Sequence, residues 1–571
     1  MVKNQEVADI LYEIADYLEI KGVQWKPRAY RRAAGAIETL SDPIEEVYHQ
    51  GELQEVSGVG ESIAEKIAEY LQRGELEYLN NLREEMPQGL RSLMAVEGIG
   101  PKMAEKLYQE LKITTVDELE HAAQNHKIRE LEGFGEKTEQ NILENISMYR
   151  ESHERFVLGY MLPDVEEIKT QLDELDYVSR VEIAGSTRRR RPTIGDADIL
   201  VISDNSSKVM DFFTSSEKVA RVLSKGERKS TVVLKNNLQV DLLVIDEKNF
   251  GAALLYFTGS KDHNIALRKR AIDHNWKLSE YGLEDRESEE TLASKTEDEI
   301  YRKLELEYII PELRENRGEI KAAGEGRLPE VLNFEHLKSD LHVHSDWSEG
   351  VHSMKEMALT AKASGLKFLA LCDHTQGLGI ASGLDEDDFQ ERQKEIDKVN
   401  EELEEFTILP GAEVNIDSDG KLDLANDALE ELDVVVAAIH SGLSQSQEQI
   451  TERILSAIHN EHVDIIGHLT GRLLNKRQPY ELGLPAIYSA AEDQDVCLEI
   501  NCFPTRMDLP DSHLIDAKDH DLRFSIGTDS HSTEHLRFIE LGVTLARRGW
   551  IEPNRVINTL ELAELKKQLG I

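Results

Sequence analysis

The chain is poor in cysteine, in aromatic residues and in long apolar runs. Its 571 residues include three cysteines, and aromatic side chains make up 6% of the sequence. Three cysteines cannot build a disulfide framework, and no stretch approaches the roughly 20 apolar residues that a membrane-spanning helix requires. The first residues form no apolar signal-peptide core. These absences predict a cytoplasmic protein without membrane spans, and the length predicts several domains.

Positive charge is also scarce. The sequence has 66 Lys and Arg residues against 110 Asp and Glu residues, which gives a formal net charge of −44. Such a charge disfavours nonspecific attraction to nucleic acid. Any nucleic-acid binding must therefore use local cationic patches or backbone amides. Two candidate patches are residues 188–191 and Lys261 with residues 268–270.

From residue 340 onward, histidines and carboxylates lie at the ends of apolar, strand-like stretches. Side chains alternate faces along a strand, so His342 and His344 point the same way, as do Asp529 and His531. Imidazole and carboxylate groups gathered at strand ends suit a multi-metal site for phosphoester hydrolysis. The predicted ligands are His342, His344, Glu349, His374, Glu413, His440, His468, Asp529 and His531.

This pattern resembles the PHP (polymerase and histidinol phosphatase) domain, a family that folds as a distorted β/α barrel with up to three metals. The resemblance runs from about residue 340 to the end of the sequence. It departs at Glu349, where polymerase-linked members usually carry Asp, and His352 is the alternative third ligand. Ligands without cysteine leave Zn²⁺, Mn²⁺ and Fe²⁺ open as the metals.

Three further residues of this region are expected to support the ligands or the substrate. Asp373 and Asn501 are expected to orient ligand side chains. Arg472 either contacts a phosphate group or is an ordinary surface arginine.

Three segments in the N-terminal quarter of the chain repeat one another. Residues 56–60, 96–100 and 131–135 each read apolar–any–Gly–apolar–Gly before a helical pattern. Glycines permit a tight turn, and the free N–H groups and positive dipole end of the next helix can hold a phosphate. The repeats resemble the helix-hairpin-helix, a sequence-independent binder of the DNA backbone, and the third is the most degenerate. The resemblance implies DNA contacts at Gly58, Gly60, Gly98 and Gly100.

The first repeat also resembles the N-terminal domain of the family X DNA polymerases, whose prototype is polymerase beta. Lys66 falls where members with deoxyribose-phosphate lyase activity carry the Schiff-base lysine. Lys26 and Tyr30 match their 5′-phosphate pocket, whereas Ser62 replaces a phosphate-binding lysine. An attacking amine must be unprotonated, which requires a depressed pKa. The alternative for Lys66 is a solvated helix lysine.

Three carboxylates in the centre of the chain predict a second metal site. Asp196 and Asp198 face one side of a predicted strand, and Asp241 lies in another apolar strand. Such a trio suits two Mg²⁺ or Mn²⁺ ions, one activating a 3′-hydroxyl and the other holding a triphosphate. Gly185 and Ser186 add a turn that can hold phosphates. Either Asp198 or Asp241 is expected to accept the hydroxyl proton.

Residues 256–260, Tyr-Phe-Thr-Gly-Ser, complete a resemblance to the nucleotidyltransferase palm of family X, which extends from about residue 1 to 318. In that family this segment contacts the nucleotide sugar, and neighbouring positions contact the triphosphate, the base and the template strand. The nucleotide-binding residues implied here are Gly185, Ser186, Arg189, Gly195, Tyr256, Phe257, Gly259, Asn264 and Arg268. Family members often carry glycine at the position of Arg190.

These patterns predict a multidomain protein. It has an α-helical helix-hairpin-helix N-terminal part, an α+β nucleotidyltransferase palm and a C-terminal distorted β/α barrel. Glycine and proline between residues 319 and 334 indicate a linker. The predicted boundaries are 1–85 and 86–150 for two helix-hairpin-helix units, 151–252 for the palm, 253–318 for a nucleotide-selection subdomain, 319–334 for the linker and 335–571 for the PHP domain.

The resemblances imply a bacterial or archaeal DNA polymerase that fills short gaps in base-excision repair. They also imply a PHP-domain 3′–5′ exonuclease and incision at abasic sites. Expected partners are gapped or nicked DNA, dNTPs and other repair enzymes such as a ligase, with the protein acting as a monomer. One alternative is a small-molecule phosphoesterase of the histidinol-phosphatase type, which the repeats and residues 256–260 disfavour. The other is a noncatalytic DNA-end scaffold, which the intact carboxylate sets disfavour.

Overall fold

A computed structural model describes residues 2–571 except 22, 24, 39–43, 55, 57, 75, 86–92, 95, 97–98, 132, 154 and 378–382. The chain divides into two compact units, Met1–Glu154 and Arg155–Ile571. Among the described residues, no helix is both long and apolar enough to cross a bilayer. The finer domain boundaries predicted from the sequence stay predictions.

The first unit is α-helical, as the repeats predict. Its helices bury one apolar face each in one of two hydrophobic clusters. In the fourth helix, for example, Ile63, Ala64 and Ile67 are buried at helical spacing. The helices are α1 (Val2–Ile20), α2 (Lys26–Glu38), α3 (Ile44–Gln50), α4 (Glu61–Arg73), α5 (Glu77–Glu85), α6 (Pro101–Leu111), α7 (Val116–Gln124) and α8 (Glu136–His153).

The second unit begins with a five-stranded mixed sheet of order β2-β4-β7-β6-β5. Strands β4 and β7 are parallel, and the other neighbours are antiparallel. A short β1–β3 pair lies outside this sheet. The elements are β1 (Phe156–Val157), α9 (Leu158–Asp173), β2 (Val178–Ile183), α10 (Gly185–Arg188), β3 (Thr193–Ile194), β4 (Asp196–Ser203), α11 (Ser206–Thr214), β5 (Val219–Lys225), β6 (Lys229–Leu234) and β7 (Gln239–Val244).

A smaller α+β segment follows the mixed sheet. Its three strands are antiparallel in the order β10-β9-β8. Part of the predicted linker is a packed helix, because Glu319 is buried with its Oε1 2.6 Å from Nδ1 of His263. The elements are α12 (Phe250–Thr258), α13 (Lys261–Asp273), β8 (Trp276–Ser279), β9 (Gly282–Asp285), β10 (Thr291–Ala293), α14 (Glu297–Lys303) and α15 (Glu319–Gly324).

The C-terminal part is a nearly closed barrel of seven parallel strands, which confirms the predicted barrel. The strands pair in chain order from β11 to β17, and a bridge between Val343 and Ser530 links the two edges. All five residues of β11 and all five of β14 are buried, as expected for parallel strands covered by helices. The strands are β11 (Ser339–Val343), β12 (Phe368–Leu371), β13 (Thr407–Asn415), β14 (Val434–Ala438), β15 (Ile465–Ile466), β16 (Cys497–Asn501) and β17 (Phe524–Gly527).

Helices connect successive barrel strands and close the C-terminus. Four of them begin at a capping box, in which a side chain at the helix start and one three residues later satisfy each other's backbone N–H groups. The helices are α16 (Met354–Ala363), α17 (Glu386–Glu402), α18 (Asn426–Leu429), α19 (Gln447–Ile458), α20 (Leu484–Gln494), α21 (Asp511–Asp516), α22 (Ile539–Arg548) and α23 (Leu562–Leu569). The helix Glu386–Glu402 carries three acidic residues in its first turn.

Candidate active sites

The carboxyl ends of the barrel strands bring the predicted metal ligands together. Three overlapping groups each place their ligand atoms within 4.8 Å of one another. His344, His374 and Glu413 are each shared by two groups. The groups are His344, Glu349, His374 and His531; His342, His344, Glu413 and Asp529; and His374, Glu413 and His440.

Glu413 lies at the centre of this cluster. Its carboxylate is 1% exposed, and its oxygens lie 2.9–3.5 Å from five imidazole nitrogens. Burial opposes its charge, but the surrounding histidines hold the pKa of the Glu413 carboxyl well below its usual range. The five histidines are His342, His344, His374, His440 and His468.

Glu349, rather than His352, reaches the cluster. Its Oε1 lies 2.6 Å from Nε2 of His374 and 2.9 Å from Nε2 of His531. Nδ1 of His352 instead accepts a hydrogen bond from the N–H of Thr533 at 3.3 Å. Glu349 is therefore the candidate ligand that the structure brings to the histidines.

Buried ring nitrogens without hydrogen-bond partners indicate that the cluster fits divalent cations. Among the described residues, Nδ1 of His344, Nδ1 of His440, Nδ1 of His468 and Oε2 of Glu349 are buried and have no hydrogen-bond partner. Orphaned buried polar atoms are costly, and metal ligation satisfies them. Burial lowers the pKa of His344 to about 4, which favours the neutral ring that ligates metals.

Glu499 is a supporting residue that the sequence reasoning missed. Its Oε1 lies 2.6 Å from Nδ1 of His342, and its Oε2 accepts the backbone N–H of His468 at 2.6 Å. Asn501, which the sequence does predict as a supporting residue, donates from Nδ2 to Oδ2 of Asp529 at 3.2 Å. The available signal for Glu499 was its place as the one charged residue of the apolar strand β16.

Two predicted supporting residues have other contacts. Asp373 accepts hydrogen bonds from the backbone N–H of Ser345 at 2.8 Å and from Arg392 at 2.9 Å, so it fixes the loop after β11. Arg472 donates to the backbone carbonyls of Arg506 and Met507. Its guanidinium therefore braces a loop beside the cluster.

Arg506 is the cation at the rim of the cluster. Its Nε lies 3.2 Å from Oδ2 of Asp529, and its side chain is 19% exposed. A partly exposed guanidinium beside a candidate metal-ligand carboxylate can meet a phosphate oxygen. The sequence alone indicates Arg472 as one candidate for this contact with a phosphate.

The second site lies on the mixed sheet, where Asp196, Asp198 and Asp241 lie on the adjacent parallel strands β4 and β7. Asp198 is directly opposite Asp241. Burial, with the negative charges of Asp196 and Asp241, raises the pKa of Asp198 to about 7. Nζ of Lys229 lies 2.7 Å from Oδ2 of Asp241. Crowded carboxylates of this kind fit hard divalent cations, which relieve their mutual repulsion.

A tight turn covers these carboxylates. Gly185 has a φ of +64°, and a Cβ at this position would lie 2.6 Å from Oδ2 of Asp198, so the turn requires glycine. The backbone carbonyl of Ser186 accepts the N–H of Arg191 at 3.1 Å and closes the turn. Gly195 immediately precedes β4. Three of the predicted nucleotide-binding residues thus border the carboxylate site.

The run of four arginines at residues 188–191 is not an open cationic patch. Each of them forms an ion pair with a glutamate at 2.7–3.5 Å. The glutamates are far away in sequence, up to 126 residues, so the sequence run alone could not reveal the pairing. The pairs are Arg188 with Glu297, Arg189 with Glu315, Arg190 with Glu166 and Arg191 with Glu315.

The residues predicted to contact the nucleotide base and sugar also lie together. Tyr256, Asn264 and Arg268 line one shallow pocket with Leu278 and Ser279. Within it, Nδ2 of Asn264 donates to the carbonyl of Tyr256 at 2.8 Å.

Phe257 and Gly259, the two other nucleotide-binding residues predicted in segment 256–260, lie next to Tyr256 in the chain. The ring of Phe257 packs edge-on against that of Tyr256 at 5.3 Å. Gly259 lies against Arg189, whose Nη1 would be 3.1 Å from a Cβ at that position. Five predicted nucleotide-binding residues therefore lie close together in the structure.

Two helix starts in the first unit are suited to phosphate binding. Helices α4 and α6 begin directly after Gly60 and Gly100, and neither has a side-chain cap. In α4 the N–H groups of Glu61 and Ser62 are therefore open to a ligand, because the intrahelical bonds start at Ile63. Helix α6 begins with Pro101, which has no N–H, so the donor it offers is the N–H of Lys102. Gly58 has a φ of +79° and packs against Arg32, where a Cβ would lie 2.9 Å from Cγ. Gly98 lies outside the described residues.

The third repeat differs from the first two. The start of helix α8 carries Glu136 and Glu139. The buried Glu139 accepts hydrogen bonds from the backbone N–H of Arg129 at 3.0 Å and from its Nε at 2.6 Å. Glu139 therefore ties the start of α8 to the segment at Arg129.

Lys66 lies in a partly shielded position. Its Nζ donates to the carbonyl and hydroxyl of Ser62 at 2.9 and 3.0 Å and lies 4.8 Å from the ring centre of Tyr78. Burial lowers the pKa of Lys66, Glu65 opposes the shift, and Lys26 adds to it. Tyr30, which the sequence predicts for the 5′-phosphate pocket, is buried, with 6% of its surface exposed.

Models of known protein families match four parts of the chain. Family models match a helix-hairpin-helix domain at residues 2–76 and a SAM-like helix-hairpin-helix tandem at 90–147. They also match a DNA polymerase beta thumb at 253–315 and a PHP domain at 340–502. These matches confirm the resemblances that the motifs carry.

Two kinds of relatives match this chain, one over 98% of its length and the other over 38–41%. The chain is 36% identical over 565 residues to the DNA polymerase/3′-5′ exonuclease PolX of Bacillus subtilis (strain 168), covering 98% of each protein. Part of the chain is similar to a probable phosphatase of Thermoanaerobacter sp. (strain X514), with 27% identity over 244 residues, 41% of this chain and 94% of the relative. A probable phosphatase of Vibrio parahaemolyticus serotype O3:K6 is 26% identical over 233 residues, 38% of this chain and 88% of the relative.

Proposed function

This chain belongs to the PolX family, the family X DNA polymerases with a C-terminal PHP domain, and on that premise we propose that it fills short gaps in DNA and degrades DNA from 3′ ends. The observation that carries the proposal is the presence of two separate groups of candidate metal ligands, three aspartates in one and histidines with carboxylates in the other. One lies on the mixed sheet and the other in the barrel. The likeness to the Bacillus subtilis protein extends over both.

The polymerase reaction is proposed for the carboxylates on β4 and β7. Asp196, Asp198 and Asp241 would hold Mg²⁺ or Mn²⁺, which activate the 3′-hydroxyl and stabilise the departing pyrophosphate. The turn at Gly185 and Ser186 offers backbone amides to the triphosphate. These groups are already fixed by the sheet and the turn, which lowers the entropic cost of aligning the reactants.

Selection of the nucleotide is proposed for the pocket beside Asn264 and Arg268. Nδ2 of Asn264 is held by the carbonyl of Tyr256, so its side chain is oriented before a nucleotide arrives. Arg268 donates from Nε to the carbonyl of Asn264 at 3.2 Å, which aligns both polar side chains on one helix face. A base and its sugar would contact Tyr256 and Phe257 here.

The exonuclease reaction is proposed for the barrel. The predicted histidine and carboxylate ligands would hold up to three divalent ions, Zn²⁺, Mn²⁺ or Fe²⁺, which supply a nucleophilic hydroxide and neutralise the phosphodiester. Arg506 at the rim would contact a phosphate oxygen of the bound strand. Glu499 and Asn501 would keep His342 and Asp529 in ligating orientations. The same chemistry would allow incision at abasic sites.

The first unit would hold the DNA backbone. The uncapped starts of α4 and α6 provide amide donors and positive dipole ends, which bind phosphates in spite of the net charge of −44. The shielded amine of Lys66 supports a deoxyribose-phosphate lyase step, because its lowered pKa increases the fraction of free amine. Gapped or nicked DNA and dNTPs are therefore the proposed substrates. We place the protein in the cytoplasm as a monomer that works beside other repair enzymes such as a ligase.

A barrel-only phosphatase is the second candidate function, because part of the chain is similar to probable phosphatases. An assay distinguishes these two functions. The purified protein is incubated with Mn²⁺ and either a labelled DNA single strand or p-nitrophenyl phosphate. The proposal predicts shortening of the strand from its 3′ end, faster than hydrolysis of the monoester. Faster turnover of the monoester would favour the phosphatase, and inertness toward both substrates and toward a gapped primer would favour a DNA-end scaffold.

A further inference from the structure

We propose that Arg548, the last residue of barrel helix α22, is a positioning residue for the polymerase reaction. The barrel would then have a second role, as the brace of the nucleotide-binding loop that carries Arg189. This inference rests on the proposed polymerase function. It concerns only residues 155–571, which form one compact unit.

Arg548 links the barrel directly to the loop at residues 185–191. Its side chain has no exposed surface. On the barrel side, Nη2 donates to Oδ2 of Asp511 at 2.5 Å. On the polymerase side, Nη1 donates to the backbone carbonyl of Arg189 at 2.7 Å and to Oε1 of Glu315 at 3.1 Å. One buried guanidinium thus joins three separate parts of the chain.

Glu315 transmits this contact to the side chain of Arg189. Its Oε1 accepts hydrogen bonds from Nε of Arg189 and from Arg548, both at 3.1 Å, and its Oε2 lies 3.5 Å from Arg191. Burial opposes its charge, but the neighbouring guanidinium groups lower the pKa of the Glu315 carboxyl, so it stays ionised. The position of the Arg189 side chain therefore depends on how Arg548 and Arg191 pair with the same carboxylate.

Arg189 is close to both parts of the polymerase site. Its Nη1 donates to the carbonyl of Thr258, beside the predicted sugar-contact segment. Its backbone N–H donates to the carbonyl of Gly185 at 3.2 Å, within the turn that covers the aspartates. A shift of Arg189 would consequently change the charge and shape of the triphosphate site.

Tight packing makes the brace rigid. Helix α9 approaches α22 so closely that a Cβ on Gly159 would lie 2.8 Å from Cδ1 of Leu541 and from Cβ of Pro504. Packed interfaces of this density transmit small displacements instead of absorbing them. The contact at Arg548 therefore holds the loop at residues 185–191 in one position relative to the barrel.

Removal of Arg548 should act mainly on nucleotide binding. Without Arg548, the Glu315 carboxylate would pair with Arg189 and Arg191, and the side chain of Arg189 would move toward Glu315. The backbone carbonyl of Arg189 would also lose the hydrogen bond from Nη1 of Arg548. Arg547 is a matched control, because it also crosses from α22 to the polymerase part. Its hydrogen bonds go to Glu312 at 2.9 Å, to the carbonyl of Leu332 and to Asn333 at 2.6 Å each.

The experiment compares four full-length proteins: unmodified, Arg548→Lys, Arg548→Ala and Arg547→Ala. Single-nucleotide gap filling is followed against dNTP concentration, and the barrel exonuclease on single-stranded DNA reports folding. We expect Arg548→Ala to raise the KM for dNTP about tenfold while kcat changes less than about threefold. Arg548→Lys should lie between, and Arg547→Ala should stay within about twofold of the unmodified protein.

An unchanged KM in Arg548→Ala, or an equal rise in Arg547→Ala, would overturn the inference. Should Arg548→Ala fail to fold, Arg548→Lys decides, because an ammonium cannot bridge Arg189, Glu315 and Asp511 together. Absence of gap filling by the unmodified protein would instead overturn the proposed polymerase function. The dissociation constants for dATP, measured by calorimetry on the same four proteins, would then decide the inference separately.

Discussion

Glu499 and His342 form a buried contact in which Oε1 of the glutamate lies 2.6 Å from Nδ1 of the imidazole. Both side chains are 1% exposed. The contact leaves Nε2 of His342 facing Glu413, at 3.3 Å from its Oε2. A carboxylate at the far nitrogen fixes the tautomer and orientation of a ligating histidine and makes it a stronger ligand.

Substitution Glu499→Gln should therefore weaken metal binding in the barrel. The amide keeps the size of the side chain but removes its negative charge, and we expect metal affinity to fall roughly 10-fold or more. Metal content after dialysis and the Mn²⁺ dependence of the exonuclease measure the effect. Glu492→Gln is the control, because Glu492 pairs with the part-exposed His520 at 2.9 Å. Equal metal affinity in the two variants would contradict the role of Glu499.

The phosphate site at the start of α4 predicts a charge effect at Gly60. A Cβ at Gly60 has open space around it, and its φ of −81° suits any residue. Gly60→Asp should cap the helix and yet repel a DNA phosphate, lowering affinity for gapped DNA roughly 3- to 10-fold. Gly60→Ser caps the helix without charge and should bind nearly as the unmodified protein does.

Titration of a labelled gapped duplex at two salt concentrations checks this prediction. The difference between Gly60→Asp and Gly60→Ser should shrink at higher salt, since screening weakens the repulsion. Indistinguishable affinities at low salt would show that the start of α4 does not hold the backbone.

The lyase proposal predicts a covalent adduct at Lys66. Borohydride should trap the protein on DNA that carries a 5′-deoxyribose phosphate, and Lys66→Ala should remove the adduct. Lys106 occupies the equivalent position of the second repeat, so Lys106→Ala is the matched control and should keep it. Trapping that survives Lys66→Ala would assign the amine to another residue.

Asp464 predicts a pH dependence of stability. Its Oδ2 accepts the N–H of Val435 at 2.8 Å, and burial raises its pKa to about 7. A carboxyl whose pKa is higher in the folded than in the unfolded state stabilises the fold fully below about pH 4, and this contribution is lost as the pH rises through 7. Asp464→Asn never ionises and keeps an oxygen for Val435.

Thermal melts at pH 5.5 and 8.5 test this expectation. The loss of stability between the two pH values should be smaller in Asp464→Asn than in the unmodified protein, by roughly 2 kcal/mol. Asp493→Asn, at an exposed position of α20, should leave that loss unchanged. Identical losses in all three proteins would mean that Asp464 titrates normally.

The metal-site residues could be predicted from the sequence because each lies at a defined point of a short local pattern. Two-residue spacing places Asp196 and Asp198 on one face of a strand, and parallel strands deliver their carboxyl ends to one rim. The barrel and its cluster followed from that rule together with the resemblance. Even Glu349, which departs from the usual residue, lies where the pattern places it.

Contacts between distant segments could not be predicted in this way. Arg188 and Glu297 are 109 residues apart, and Arg548 and Arg189 are 359 apart. A run of arginines indicates a cationic patch unless the carboxylates that fold onto it are known. Glu499 was missed for a related reason, since a buried charge in a strand signals a partner without identifying it.

Primer length on a 5′-labelled, one-nucleotide-gapped duplex with Mn²⁺ and the four dNTPs tests the central claim, that two independent active sites serve one chain. The account predicts a primer longer by one nucleotide with the unmodified protein and with Glu413→Gln, and a primer that only shortens with Asp198→Ala. Shortening without extension in the unmodified protein, or loss of extension in Glu413→Gln, would contradict it.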